Sequence, residues 1–126
     1  MTRPSEGVAP VGWPAAVRPP GAPEWEGTAV GWLFDLCPPD YRAYDVLRRH
    51  PLVLARFAAM SVAVGVQAAS AGLATVRSEL AGAVPPDAVE AAVAAYEREA
   101  ARLAAAARGV AMVEAALRGR RFSARL

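Results

Sequence analysis

The sequence predicts an all-α protein: a long antiparallel helical hairpin over about residues 52–81 and 86–118, preceded by a short helix over about 39–49 and a Pro/Gly-rich disordered leader. The hairpins are expected to close a four-helix bundle as a dimer. Three observations carry this reading. Leu52, Ala55, Ala59, Val62, Val66, Ala69, Leu73, Val76 and Leu80 fall at alternating steps of three and four, which places them on one helical face. Val89, Val93, Tyr96, Ala100, Leu103, Ala107 and Val110 repeat that spacing, with a branch through Ala106, Val113 and Leu117. Only the four residues 81–84 connect the first long helix to the Pro85-Pro86 start of the second, so the helices must run antiparallel, coiled-coil fashion.

Residues 1–27 contain six of the eleven prolines and no apolar period, so a disordered leader is expected. Trp13 and Trp25 stand out within it; they either fold back onto the helices or anchor a partner. Thr28–Leu36 reads as a short helix capped by Thr28, with Ala29, Trp32, Leu33 and Leu36 on one face and Trp32 as the main contact across the hairpin. Pro38-Pro39-Asp40 suits a helix start, because proline fits the first turn and an acid there meets the helix dipole. Within the following helix Asp45 can pair with Arg42, Arg48 or Arg49. Pro51 then breaks the chain before the long helix.

Along residues 52–66 a second apolar stripe appears: Val53, Phe57, Met60 and Val64. A helix with two apolar faces needs more than one neighbour. Gly65 and Gly72 lie beside the first seam, where a missing side chain permits close approach. Pro85-Pro86-Asp87 starts the second long helix as Pro38-Pro39-Asp40 starts the short one. Gly119 is expected to end it, leaving a basic tail over 120–126.

Composition narrows the function classes. The 126 residues leave room for one domain, expected as a helical one over 28–119 between the leader and the basic tail; the net charge is +2, and residues 98–126 hold seven Arg against only Glu99 and Glu114. Cys37 is the only cysteine, so no intrachain disulfide forms and a cytoplasmic location is expected. The prolines of residues 1–30 leave no signal-peptide core. Residues 57–76 carry no charge and are long enough to cross a bilayer. Their six strongly lipophilic side chains favour insertion by only about 2–4 kcal/mol, which Gln67 and the small polar residues offset. A buried soluble helix is expected, not membrane insertion.

Catalytic and cofactor chemistry finds no foothold in the sequence. Cys37 and His50 are the only thiol and imidazole, and each is explained more simply, as a small buried hydrophobe and a helix-break residue. No metal-ligand spacing or phosphate loop occurs, so neither an enzyme nor a cofactor is expected. Arg118, Arg120, Arg121 and Arg125, with Phe122 between them, form a basic tail that suits nucleic-acid phosphates, anionic lipid or an acidic partner, or else is simply solvated near a helix C-terminus. The sequence reading is therefore a non-enzymatic interaction or scaffolding protein that self-associates or binds a protein partner. Its candidate interface is Trp32, Val53, Phe57, Met60 and Val64. The alternatives are a small nucleic-acid-associated protein using the arginine tail, and a binder of a small apolar ligand between helices lined by Trp32, Phe57 and Met60.

Overall fold

The computed structural model describes residues 9–125, with side chains through Gly119. Four α-helices organise this stretch: α1 (Trp25–Asp35), α2 (Asp45–Arg49), α3 (Pro51–Leu80) and α4 (Pro86–Arg125), with a 3-10 turn at Pro39–Ala43 and no strand among the described residues. The fold is all-α, and its largest feature is the packed pair α3–α4.

Both long helices start on a proline, Pro51 and Pro86, at the position where a missing N–H leaves no hydrogen bond unmade. The α3–α4 connection turns through Gly82, whose φ of +78° is left-handed and favours a residue without Cβ. Contacts descend α3 as they ascend α4. Arg56 meets Glu114 at 3.0 Å, and Arg77 meets Glu90 at 2.8 Å. Between these bridges, a Cβ at Gly65 would come within 3.1 Å of Leu103, and one at Gly72 would overlap the Tyr96 ring. The two glycines are sockets for Leu103 and Tyr96 of α4.

Every position of the predicted α3 seam is buried or half-buried. On α4 the buried course is Val89, Val93, Ala106, Val110, Val113 and Leu117, while Ala107 faces solvent, so the seam takes the Ala106 branch. Ala29, Leu33, Leu47, Leu54, Ala55, Ala58 and Val113 are completely buried. They gather where α1 and α2 lie over the first half of α3 and the last part of α4. Beyond Val62 the hairpin continues as two helices alone, with Ala69 and Val76 buried against Val89, Val93 and Ala106. The molecule is a dry cluster with a two-helix arm.

The sequence expectations differ from this structure in four places. The first concerns the leader. Its first eight residues lie outside the described ones, but residues 9–24 form successive turns, with the amides of Trp13, Val17 and Ala22 bonded to the carbonyls of Pro10, Pro14 and Pro19. Val17 is buried, the Trp13 indole N–H donates to the Val17 carbonyl at 2.9 Å, and the Trp13 and Trp25 rings stand 6.3 Å apart. Proline restricts the unfolded chain as much as the folded one, so ordering this stretch costs less entropy than its lack of periodicity implies.

Second, α1 begins at Trp25 rather than at Thr28. Thr28 caps nothing; its hydroxyl donates to the Trp25 carbonyl and accepts the Arg18 amide, both at 2.9 Å, and so fastens leader to helix. Third, the helix expected over 39–49 is split at Tyr44, whose extended backbone separates the 3-10 turn from α2. Arg42 reaches back to Asp35 at 2.8 Å, leaving Asp45 to Arg49 alone. Fourth, Gly119 does not end α4, which runs on to Arg125. One helical glycine costs only about 1 kcal/mol, and no proline follows it.

Candidate functional site

The candidate interface residues do not stay together. The Trp32 ring lies over α4, where a Cβ at Gly109 would come within 3.0 Å of both Trp32 and Pro14. Val53 is half-buried against the core. Phe57, Met60 and Val64 remain on the outer side of α3, exposed by 41, 60 and 62%. Phe57 meets not Trp32 but Tyr41, edge to face, with ring centroids 5.8 Å apart.

These three residues form one wall of a groove of about 760 Å3. Its other wall is Leu36, Cys37, Pro38 and Tyr41, from the segment joining α1 to α2, and Arg56 and Ser61 complete the lining. The second wall was invisible in the sequence. Nothing in Pro38-Pro39-Asp40-Tyr41 announces that the turn folds beside α3, where Tyr41 meets Phe57, 16 positions on in the chain. Cys37 is buried at the groove floor; desolvation pushes its thiol pKa up, against the Ser61 hydrogen bond and the Arg42 charge that pull it down. It is therefore held as a neutral thiol. His50 lines a different depression, with Glu26 and Leu117, so the structure does not bring the two residues together. Among the described residues no three metal-ligating side chains cluster.

The exposed face of α3 extends past the groove. From Phe57 to Thr75 its solvent-facing residues are Met60, Ala63, Val64, Gln67, Ala68, Ser70, Ala71 and Ala74, and none is charged. The exposed side of α4 in the same hairpin bears Glu90, Glu97, Arg98, Arg102 and Arg108. The outer face of α4 thus mixes charge with alanine, whereas that of α3 carries no charge from Phe57 to Thr75. α3 is the one helix among the described residues long and apolar enough to cross a bilayer, and only 28% of its most apolar window is buried within the chain, less than the sequence reading expected.

The basic tail is engaged at its first member. Arg118 bonds to Glu114 at 3.0 Å, and Glu114 also holds Arg56. Burial pushes the Glu114 carboxyl up, but the two guanidinium groups outweigh it and leave the pKa below the ordinary glutamate range. The side chains of Arg120, Arg121 and Arg125 lie outside the described residues. No family model, curated protein or solved structure matches the chain.

Proposed function

We propose that this is a non-enzymatic helical interaction protein that works in the cytoplasm and self-associates through the outer face of α3, completing a four-helix core. The observation that carries the reading is the uncharged, solvent-facing stripe that begins at Phe57, Met60 and Val64 and continues to Thr75. A face that served only solubility would be free to carry charge, as the outer face of α4 does. An apolar patch of a few hundred Å2, about the largest a typical monomer exposes, is often functional.

Sedimentation of the full chain from low to high micromolar concentration tests the proposal. A dimer that Phe57→Glu converts into a monomer of unchanged helicity supports it. A wild type that stays monomeric throughout refutes it. The groove beside Tyr41 favours a second reading, in which a small apolar ligand occupies it. A monomer that binds a fluorescent apolar probe, and loses that binding on Met60→Glu, would establish the second reading in place of the first.

A further inference from the structure

We infer that the partner helix is α3 of a second copy, lying antiparallel with the two-fold axis between Val64 and Gln67. The inference rests on the self-association proposed above and specifies its register. At alternating steps of three and four the exposed face reads Phe57, Met60, Val64, Gln67, Ala71, Ala74 and Ser78. Phe57 and Met60 lie at the N-terminal end, Ala71, Ala74 and Ser78 at the C-terminal end, and the mid-sized Val64 and Gln67 between them. A parallel pair would stack Phe57 on Phe57 and Met60 on Met60, and would leave gaps at Ala71 and Ala74. Antiparallel pairing removes both faults at once. Phe57 then faces Ala74 of the second copy and Met60 faces Ala71, so these layers join a large side chain to a small one, while the central layers set Val64 beside Gln67.

Neighbouring residues fit the same arrangement. Ser61, Ala63, Ala68, Ser70 and Thr75 flank the stripe and are all small, which lets the helices approach closely. The groove behind Met60, walled by Leu36, Pro38 and Tyr41, receives the narrow Ala71–Ala74 end of the second helix. No charge is buried. Arg56 and Arg77 close the two ends of the stripe, and each is already bridged within its own chain, to Glu114 and Glu90. Gln67 is the polar residue at the centre of the stripe, with Ser78 at its end, and a polar residue at such a central position fixes register.

The stripe is about 31 Å long and about 10 Å wide, a footprint of roughly 300 Å2 per copy. That is less than the ~800 Å2 per partner of a standard interface, so the dimer is weak and concentration-dependent.

Cysteine cross-linking in a Cys37→Ala background reads the register directly. Met60→Cys and Ala71→Cys chains, mixed at high micromolar concentration under mild oxidation, should form mainly the mixed disulfide. Predominance of Met60→Cys pairs with themselves means a parallel dimer and overturns the inference. A wild-type dimer with no cross-link in any mixture overturns it too, by placing the interface elsewhere. A wild type that is monomeric at every concentration refutes the self-association itself. Size substitution gives an independent sign. Ala71→Met should weaken the dimer about tenfold or more by overpacking against Met60, at two symmetric sites. Combining it with Met60→Ala in the same chain should restore dimerisation. An Ala71→Met chain that dimerises more tightly would favour parallel pairing and overturn the inference.

Discussion

Replacing Gly109 by Ala sets helix propensity against packing at the point where the leader and α1 meet α4. On propensity alone the change should stabilise by about 1 kcal/mol, since glycine is the poorest helix former after proline. The surroundings oppose this. The new methyl would lie 3.0 Å from Pro14 Cγ, 3.0 Å from Trp32 Cη2 and 3.3 Å from Trp32 Cζ2. Both neighbours are rigid rings, and neither can yield by turning a flexible tip. Overpacking of this kind costs about 1–3 kcal/mol, so Gly109→Ala should be between neutral and about 2 kcal/mol destabilising. Gly31→Ala is the control, because a Cβ there meets nothing within 4 Å in the interior of α1. It should stabilise by the full propensity difference. The two variants should therefore separate in Tm by about 4–12 °C, at about 4 °C per kcal/mol for a chain of this size. Thermal melts by circular dichroism measure the gap. Trp fluorescence should shift to the red only in Gly109→Ala, as Trp32 is lifted from α4. Equal rises in Tm with unchanged emission would refute the docking of the leader and Trp32 on α4.

Three further outcomes follow from local geometry. Gly72→Ala should lower Tm in the wild type, because its Cβ overlaps the Tyr96 ring, but raise it in a Tyr96→Ala background where only the propensity gain remains; the same sign in both backgrounds would exclude the socket. Glu114 has a lowered folded-state pKa, so its stabilisation is present above the unfolded value of about 4.3 and is lost as pH falls through the folded value. Urea melts should show wild type more stable than Glu114→Gln at neutral pH, with the gap closing in acid; a pH-independent gap would contradict the two-arginine clamp. Thr28→Val removes the acceptor for the Arg18 amide and should cost about 1 kcal/mol and speed hydrogen exchange at Arg18; unchanged exchange would mean that the leader is held by apolar contact alone.

The hairpin was legible because it is written in local periodicity. Steps of three and four locate the α3 seam without reference to anything else, and Pro51 and Pro86 start their helices where proline chemistry places them. The leader was not legible, because what orders it is remote. Pro14 meets Gly109, and a Cβ at Gly12 would meet Met112 at 3.6 Å, across nearly a hundred residues of chain. The same holds for the candidate site. Phe57, Met60 and Val64 could be found as the apolar remainder once the seam was assigned. Whether each remained exposed depended on tertiary cover. Val53 is covered, Trp32 is drawn away to α4, and Tyr41 arrives from a turn whose sequence shows no apolar pattern.

The division of the molecule into cluster and arm bears on how self-association would act. The cluster buries Leu33, Leu47 and Leu54 completely, whereas the arm buries chiefly alanine and valine between two helices. Burial stabilises in proportion to apolar area, so the arm is the less stable part and opens at lower free energy than the cluster. A second hairpin laid along the stripe would add to the arm the third and fourth helices it lacks, and at the cluster would meet only the groove beside Phe57 and Met60. Association would then protect amides of residues 62–104 selectively as concentration rises, while those around Leu33 and Leu54 stay at their limit. If the proposed association forms, the poor cover of the arm and the uncharged stripe of α3 have one explanation: the chain leaves open the face that a second copy would close.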